Sequence, residues 1–365
     1  MKKLVIFNPS IEGGGVEKNI EMISGHLSRR LKKRIYFISY DHSLKLNKSI
    51  NVVKPIIRLN IKNRLFKYFI CILSLFNFYK NNKDFVIFSF QANVYAILVA
   101  KILNKKVIVR ANAAPHKWTN NYKIILLKYF YNLADEVIVN SYEFKKEVKK
   151  VFNVKSLAIY NPINKKKIIN LSKKKTSLPF FDSDKKSLKI LNIGRLTLQK
   201  NQIDLLKIVN ILKNKIPIKL LIIGSGSEEK KLKNYIITNN LKNFVKIIPY
   251  NKNPYAFYKK ANIFVLTSVY EGLPNVLLEA NIFKLFCISY KCKTGPREIL
   301  DKGKGGILVN VYNYNKIVKE LIKYYFNNKK IKYKKMINSS FKNLSKYNLK
   351  NQLFKYEKII SYYTK

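Results

Sequence analysis

The sequence predicts an α/β protein made of two halves of similar size, each built on a parallel sheet. Short apolar runs that end in turn residues alternate with helical stretches along most of the 365 residues, which is typical of parallel strands and the helices between them. A lysine-rich segment at 166–187 interrupts this alternation and is predicted to be a linker between 1–165 and 188–345. Since open parallel sheets bind ligands at the carboxyl ends of their strands, we expect the functional site in a cleft between the halves.

In the first half, the apolar run LVIF at 4–7 predicts a strand, and three glycines lead from it into a helical pattern over 16–31. Five more runs predict strands, with three helical stretches between them. The further strands are expected at 34–39, 85–90, 107–112, 136–141 and 156–162, and the helices at 94–103, 121–133 and 142–151.

The second half repeats the alternation after residue 187. Its strands are expected at 188–194, 219–224, 245–250, 262–268, 286–290 and 306–309. Its helices are expected near 201–213, 228–239, 253–260, 274–283 and 313–327, and the tail at 333–363 is predicted to be helical.

The charge of the chain is extreme, because 72 basic residues face only 20 acidic ones and give a net charge of +52. Such a chain is attracted to phosphate-bearing partners, which include nucleic acids, nucleotides and anionic membrane surfaces. Only eight of the basic residues are arginine, whereas proteins that recognise nucleic acids depend on arginine for its two-pronged contacts. We therefore interpret much of the charge as compositional background and expect no nucleic-acid partner.

The cysteines and the apolar segments indicate the cellular compartment in which the protein is expected. Cys71, Cys287 and Cys292 are an odd number without CxxC spacing, which argues against a disulfide framework or a zinc site and fits a reducing compartment. The first residues lack the apolar run of a signal peptide, and the longest apolar stretch, 69–78, is too short to span a bilayer. We expect a cytoplasmic protein, with peripheral attachment to the inner face of the membrane as an option.

The segment SVYEGLPNVLLEA at 268–280 is the strongest motif. A strand is expected to end at Ser268, and Pro274 suits the first position of the next helix, where its missing N–H costs nothing. Glu271 then lies in the loop at the carboxyl edge of the sheet, and Glu279 lies in the helix. Carboxylates accept hydrogen bonds from sugar hydroxyls and a helix N-terminus attracts phosphate, so the pattern suits a ligand that carries both.

Two other loops follow predicted strands of the second half. In IGRLTLQKN, Arg195 and Lys200 stand between a strand and a helix, where two cations can bind a diphosphate. In IIGSGSEE, Gly224 and Gly226 allow a ligand to approach the backbone closely, although an ordinary tight turn explains them as well. The loop at 13–15 of the first half has the same double meaning.

Other candidate sites are weaker. His116, in RANAAPHKW, follows a predicted strand and is either a residue of the site or an ordinary loop histidine. Asp182 and Asp184 have the spacing of metal-binding acids, but they lie among lysines in the predicted linker, so we expect no metal there. No Ser/His/Asp set and no metal cluster is recognisable.

Taken together, these motifs resemble those of the retaining glycosyltransferases of GT-B fold, family 4 (glycosyl transferases group 1). The resemblance covers almost the whole chain, and within the family it is greatest to bacterial enzymes that extend lipid-linked oligosaccharides or surface polysaccharides. It implies two Rossmann-like domains with a central cleft and a C-terminal helix, 346–365, that packs back onto the first domain. The segments that carry it are GGGVEKN, GRLTLQKN, IIGSGSEEKKL, YEGLPNVLLEA and GPREIL.

The resemblance also implies roles for matching residues. Arg195 and Lys200 would bind the diphosphate of a nucleotide sugar, Glu279 its ribose, and Glu271 the transferred sugar. His116 is the nearest candidate for the catalytic histidine on the acceptor side. Backbone and loop contacts to the donor would come from Gly14, Gly15, Gly194, Gly224, Gly226, Gly272, Leu273, Pro274 and Asn275.

The expected function is transfer of a hexose or N-acetylhexosamine, UDP-linked rather than GDP-linked by resemblance, to a lipid-linked or polysaccharide acceptor. No metal or other cofactor is expected, because fixed cations and helix N-termini can stabilise the leaving diphosphate. The apolar and basic segments 63–80 and 117–131 either rest on an anionic membrane surface or are core helices with solvated lysines. A sugar-nucleotide epimerase, a phosphorylase or a basic nucleic-acid-binding protein are the alternative functions.

Overall fold

The computed structural model describes residues 2–11, 15–31, 34–41, 44, 46–57, 63–112, 121–174, 176, 178–182, 184 and 186–365. The chain divides into two compact units, one formed by Met1–Pro162 with Leu349–Lys365 and the other by Ile163–Asn348. Each unit is built on one sheet of parallel strands. The predicted α/β class with two Rossmann-like domains is therefore confirmed.

The sheet of the first unit has seven strands in the order β3-β2-β1-β4-β5-β6-β7. The order reverses between β1 and β4, which is the point where open sheets of this topology bind ligands. The strand β3 was not predicted, because its three residues are mostly exposed and form no apolar run. The strands are β1 Lys3–Phe7, β2 Ile35–Ile38, β3 Asn51–Val53, β4 Phe85–Ser89, β5 Lys106–Ala111, β6 Glu136–Val139 and β7 Leu157–Ala158.

In the described part of this unit, five helices lie between the strands. All but one agree with the sequence prediction to within one or two residues. The exception is α2, which lies in the apolar and basic segment 63–80, where a core helix is one of the two interpretations that the sequence allows. The helices are α1 Gly15–Leu31, α2 Arg64–Asn81, α3 Asn93–Ile102, α4 Asn121–Leu133 and α5 Tyr142–Phe152.

The sheet of the second unit has six strands in the order β10-β9-β8-β11-β12-β13 and reverses between β8 and β11. All six strands coincide with predicted apolar runs. The strands are β8 Leu188–Ile193, β9 Ile218–Ile223, β10 Val245–Ile248, β11 Ile263–Leu266, β12 Phe286–Tyr290 and β13 Ile307–Val309.

The remaining helices complete the chain, and none among the described residues combines the length and the apolar character needed to cross a bilayer. The helices of the second unit are α6 Lys165–Leu171, α7 Pro179–Asp182, α8 Gln202–Leu212, α9 Glu229–Thr238, α10 Tyr255–Lys260, α11 Asn275–Ile282, α12 Pro296–Ile299, α13 Tyr314–Asn327 and α14 Ile331–Asn343, followed by α15 Leu349–Thr364 of the first unit.

The segment 166–187, predicted to be a linker, is placed by the structure within the second unit and carries α6 and α7. Phe181 is fully buried, Lys260 forms a salt bridge with Asp182, and the amide of Asn253 donates to the carbonyl of Leu171 at 3.0 Å. The apolar residues among the lysines therefore pack onto the unit, which the lysine-rich composition concealed.

The C-terminal helix α15 covers a face of the first sheet that local connections leave bare. The connections from β3 through β7 run in one direction, so their right-handed crossovers place α2 to α5 on one face. The opposite face receives α1, and α15 packs beside it, with Leu353, Tyr356 and Ile360 buried against residues of β4, β5 and β6. The core of this face is therefore completed by a segment almost 200 residues further along the chain.

Candidate functional site

Two loops leave neighbouring strands at the reversal point of the second sheet. One follows β8 and leads into α8, and the other follows β11 and leads towards α11. Both lie at the carboxyl edge of the sheet, where the reversal of strand order leaves room for a ligand. The two strongest sequence motifs form these loops.

Lys200 and Glu271 meet at this point. The Nζ atom of Lys200 lies 2.5 Å from Oε1 of Glu271, and the two side chains are 15% and 8% exposed. Arg195, in the same loop as Lys200, is exposed. The structure thus joins a cation and a carboxylate that are 71 positions apart in the sequence, and places a second cation in the same loop.

The loop that carries Arg195 and Lys200 is held by side chains at the start of α8. The amide of Gln202 donates to the carbonyl of Arg195 at 2.9 Å. Buried Asp204 accepts from the amide of Asn201 and from the hydroxyl of Tyr290, each at 2.7 Å. Burial, and then the hydrogen bond to Asp204, raise the pKa of Tyr290 well above its usual value, so its hydroxyl stays protonated as a donor.

The loop that carries Glu271 is supported from behind by the turn after β12. The hydroxyl of Thr294 donates to the carbonyl of Glu271 at 2.5 Å. Gly295 has a φ of +91°, and a Cβ there would collide with the carbonyl oxygen of Gly272 and lie 2.8 Å from Pro274. Thr294 and Gly295 therefore help to position Glu271. Gly295 belongs to the motif GPREIL, whereas no sequence feature marks Thr294.

Contacts between the two loops fix their spacing. The amide of Gln199 donates to the carbonyl of Tyr270 at 2.9 Å, and the backbone N–H of Val269 donates to the carbonyl of Gln199 at the same distance. The hydroxyl of Thr267 donates to the carbonyl of Lys200 at 3.1 Å. These bonds hold the backbones that carry the Lys200 and Glu271 side chains, so the pair is set by a rigid frame.

Close packing of the backbone explains why residues 224 and 226, after β9, are glycines. A Cβ on Gly224 would collide with the carbonyl oxygen of Gly194, and a Cβ on Gly226 would collide with that of Leu196. Gly194 itself lies against the stem of Lys200, where an added Cβ would have ordinary contacts at 3.5 Å. Gly224 and Gly226 thus allow the loops after β8 and β9 to pack backbone against backbone, and their role toward a donor stays a prediction.

Glu279 is nearly buried, at 3% exposure, in the second half of α11. It accepts hydrogen bonds from the hydroxyls of Tyr258 at 3.0 Å and Tyr255 at 3.4 Å. Burial, together with the charge of Glu279, raises the pKa of Tyr258. The helix begins at Asn275 with Pro274 as its N-cap, one residue later than predicted. Gly272, Leu273 and Pro274 are buried, and Asn275 is half-buried.

Two predicted site residues, Gly14 and His116, lie outside the described residues. Gly15 is the first residue of α1 and is exposed. Their predicted roles in donor binding and on the acceptor side stay predictions.

Asp182 and Asp184, the two acids with the spacing of metal-binding residues, both interact with neighbouring residues of the protein. Asp182 binds Lys260 at 2.6 Å, and this hydrogen bond lowers the pKa of the acid. Asp184 accepts from the backbone N–H groups of Lys186 and Ser187, each at 3.0 Å, and from the Ser187 hydroxyl, whose hydrogen bond lowers its pKa. Within the described part of the chain, no group of three His, Cys, Asp or Glu residues is arranged to hold a metal ion.

Residues 173–343 match the family model of the glycosyl transferases group 1. This part of the chain belongs to that family. It contains the loops after β8 and β11 and almost all of the second unit, so Lys200 and Glu271 lie in a group 1 glycosyltransferase domain. The predicted membership in group 1 is confirmed.

Two relatives extend the similarity beyond this domain. The chain is 36% identical over 261 residues to an uncharacterized glycosyltransferase of Methanocaldococcus jannaschii, which covers 63% of this chain and 64% of that protein. The match thus spans less than two thirds of that relative. The chain is 26% identical over 342 residues to a Campylobacter jejuni enzyme, N-acetylgalactosamine-N,N'-diacetylbacillosaminyl-diphospho-undecaprenol 4-alpha-N-acetylgalactosaminyltransferase, with 88% of this chain and 89% of that protein covered.

Among solved structures, the chain is similar to the Anabaena protein HepE, crystallised in complex with UDP-glucose. The TM-score is 0.79 at 15% identity, and the match covers 99% of this chain and 100% of HepE. At this identity the match shows the fold, which is GT-B. The predicted GT-B fold with two Rossmann-like domains is therefore confirmed.

Proposed function

We propose that this chain is a retaining, metal-independent glycosyltransferase of family 4. It moves a hexose or an N-acetylhexosamine from a nucleotide sugar, UDP-linked rather than GDP-linked, to a lipid-linked oligosaccharide or surface-glycan acceptor. The observation that carries the proposal is the ion pair of Lys200 and Glu271 at the reversal point of the second sheet, inside the group 1 domain.

The pair supplies the two kinds of group that a nucleotide sugar needs. The ammonium of Lys200 attracts a diphosphate, and Arg195 in the same loop offers a planar set of donors to phosphate oxygens. The carboxylate of Glu271 accepts hydrogen bonds from sugar hydroxyls. In this proposal the anionic diphosphate competes with Glu271 for Lys200, and the carboxylate turns to the hydroxyls of the bound sugar.

The same groups account for catalysis without a metal. When the sugar–phosphate bond breaks, negative charge grows on the diphosphate, and cations already held in place stabilise it without reorganising. Each such group is worth about 10²–10³ in rate. Because the backbones of both loops are held by several hydrogen bonds, Lys200 and Glu271 are preorganised for this task.

The nature of the donor and the acceptor is inferred from the relatives. HepE is crystallised with UDP-glucose, and the Campylobacter relative is named for transfer of N-acetylgalactosamine to a diphospho-undecaprenol oligosaccharide. Such an acceptor is anchored in a membrane, so attachment to the inner membrane face is part of the proposal.

The first experiment measures donor binding. The purified protein is melted with UDP-glucose, UDP-N-acetylglucosamine, UDP-N-acetylgalactosamine and GDP-mannose, and a ligand that binds the native state raises the melting temperature. We expect a rise with at least one UDP-sugar, and loss of that rise in Arg195→Ala. Lys233→Ala, an exposed lysine on α9, is the matched control and keeps it. The absence of any rise across the panel would count against the proposal.

The second experiment measures transfer. Radiolabelled donor is incubated with undecaprenyl-diphosphate glycans, with and without EDTA, and the anomeric configuration of the product is read by NMR. We expect equal rates with EDTA and retention of the donor's configuration. Consumption of the donor without any acceptor would favour an epimerase, and consumption that requires inorganic phosphate would favour a phosphorylase. Salt-sensitive RNA binding without a melting shift would favour a nucleic-acid-binding protein.

A further inference from the structure

The first unit exposes an unusual amount of apolar surface on three consecutive helices. Of the 21 large apolar side chains that are exposed in the described part of the chain, nine lie on α2, α3 and α4, each between 39% and 68% exposed. Exposed apolar side chains that cluster on neighbouring helices are typical of an interaction site. The nine are Leu65, Phe66, Phe69, Tyr95, Leu98, Ile102, Ile125, Leu126 and Tyr129.

On α3 these side chains lie three and four positions apart, and on α2 and α4 they lie one, three or four positions apart, so on each helix they share one outward stripe. The opposite stripes of α2 and α3 are buried in the core, as Leu75 and Ile97 illustrate, and the inward side chains of α4, such as Leu127 and Phe130, are partly buried against the same core. A helix at the surface of a globular protein is ordinarily polar on its outer side. These three helices are apolar on both sides, which core packing alone does not explain.

The three stripes lie on one side of the first unit, and their exposed side chains are here called the α2–α4 face. All three helices pack against the same side of the first sheet. The rings of Tyr68 on α2 and Tyr95 on α3 lie 5.8 Å apart, and the amide of Asn93 on α3 donates to the hydroxyl of Tyr131 on α4 at 3.1 Å. Neighbouring helices are thus in contact, and their exposed side chains point away from the sheet on the same side of the unit.

The charges of this face all have one sign. The sequences of α2, α3 and α4 contain no aspartate or glutamate. Their exposed basic side chains include Lys80, Lys101 and Lys128, which stand beside the apolar stripes. Lysine, whose long stem lies along apolar surface while its ammonium reaches water, is depleted in the cores of protein interfaces but suits a membrane surface. Tyrosine is likewise enriched at the boundary between lipid and water.

We propose that the α2–α4 face docks onto a bilayer that contains anionic lipids. Leu65, Phe66 and Phe69 insert among the headgroups together with the matching side chains of α3 and α4, and the lysines contact lipid phosphates. The contact is peripheral, because no helix in the described residues can span a bilayer. This docking surface deepens the proposed function, on which its purpose rests, since a lipid-linked acceptor must be reached at a membrane.

Vesicle flotation tests the proposal with the full-length protein. We expect binding to vesicles of phosphatidylglycerol and phosphatidylcholine at low salt, weaker binding at high salt, and little binding to pure phosphatidylcholine. The double variant Leu65→Ser/Phe69→Ser should bind the anionic vesicles about tenfold more weakly or worse. Lys101→Glu/Lys128→Glu should lose binding at low salt in particular. All four side chains are exposed, so the variants are expected to fold.

Matched controls distinguish vesicle binding through this face from non-specific binding caused by the positive charge and exposed apolar side chains of the rest of the protein. Phe326→Ser on α13 and Phe354→Ser on α15 remove equally exposed aromatic rings elsewhere, and Lys233→Glu reverses a distant charge. These variants should float like the wild type. Equal flotation of wild type and α2–α4 variants, or no flotation at low salt, would overturn the proposal. Lipid-independent self-association through this face in sedimentation, abolished by the double variant, would also overturn it in favour of a dimer.

The readouts keep docking apart from the proposed reaction. The melting shift with UDP-sugars is measured without vesicles, and the double variant should retain it in full. Failure to float with an intact shift overturns the docking surface alone. Flotation without any shift supports docking and counts against the proposed transfer.

Discussion

The two sheets reverse their strand order in the same way, yet different chemistry joins the loops at the two reversal points. In the first unit, the backbone N–H and the hydroxyl of Ser10, after β1, both donate to Oε1 of Gln91, after β4, at 3.0 Å. In the second unit, Lys200, after β8, binds Glu271, after β11, at 2.5 Å. The first junction is neutral and the second is a nearly buried ion pair.

The comparison indicates that the topology of a sheet determines where a binding site forms, whereas the side chains of its loops determine which ligand binds there. A serine–glutamine junction holds two loops together but offers no charge to a phosphate. A lysine–glutamate junction holds them equally well and adds a cation and a carboxylate that a nucleotide sugar can use. In the proposed function, only the second of these two junctions offers charged groups to the donor.

The largest expected effect comes from removing the charge at the second junction. Glu271→Gln keeps the shape of the side chain but loses the carboxylate, so we expect the transfer rate to fall about 10²–10³-fold. Gln91→Ala, which opens the neutral junction, should leave the UDP-sugar melting shift unchanged. Initial rates and melting curves of both variants check this. A Glu271→Gln enzyme with a rate near that of the wild type would remove the basis of the comparison.

A buried charge in the first unit gives the next effect. Arg110 at the end of β5 is fully buried, and its guanidinium donates to the hydroxyl of Tyr356 at 2.8 Å and to Oδ1 of Asn161 at 2.5 Å. Tyr356→Phe removes a partner of this cation, so the free energy of unfolding should fall by about 1.5–3 kcal/mol. The control Tyr362→Phe, on the exposed side of the same helix, should change it by less than about 0.5 kcal/mol. Urea unfolding measures both, and equal effects would contradict the assignment.

Glycine substitutions compare the two units at a smaller scale. Gly224→Ala in the second unit forces a Cβ against backbone that cannot yield, and we expect a loss of about 1–3 kcal/mol in the free energy of unfolding. Gly25→Ala in α1 of the first unit meets no atom within 4 Å and should stabilise by about 0.4–1 kcal/mol. Opposite signs in thermal or urea unfolding support the packing argument. A neutral Gly224→Ala would show that the loops after β8 and β9 can separate.

The smallest effect concerns a thiol near each junction. Cys71 lies 3.9 Å from the carbonyl of Pro9, and Cys292 donates to the carbonyl of Ser268 at 2.9 Å. Burial raises the pKa of Cys71 from 9.0 to about 12, and burial followed by the charge of Glu271 raises the pKa of Cys292.

Both thiols should therefore resist iodoacetamide at pH 8 in the native protein and react fully in urea, as mass spectrometry can show. Because the native state disfavours the thiolate, the Cys71 thiol lowers the free energy of unfolding as the pH rises from about 9 towards 12. Cys71→Ala should flatten this part of the pH profile. Rapid native alkylation of either thiol would contradict its burial.

Much of the fold could be predicted because parallel strands are continuous apolar runs with turn residues at their ends. All six strands of the second sheet were found in this way, as was the helical pattern at 121–133. The strand β3 escaped because its residues are exposed, and the segment 166–187 was taken for a linker because lysines hide the buried Ile168 and Phe181. Apolar runs in the sequence predict buried strands and helices. The strand β3 and the segment 166–187 are instead positioned by contacts with residues that are distant in the sequence.

The residues of the candidate site could likewise be predicted only in part. Arg195, Lys200 and Glu271 stood out because charged residues after strands lie at the carboxyl edge of a sheet. Thr294 did not stand out, since it supports Glu271 from behind and no ligand chemistry marks it, and Gly295 stood out only as part of the motif GPREIL. Supporting residues are defined by what they touch, which a single sequence does not display.

The alternation of strands and helices, the two-domain architecture and the residue types at the edge of the second sheet can all be predicted from the amino-acid sequence. They follow from local periodicity and from the turn residues between elements. Folding alone brings Lys200 to Glu271, completes the core of the first unit with α15, and packs α2, α3 and α4 on the same side of the first sheet. These contacts join residues far apart in the chain, so they arise from the packing of helices on sheets.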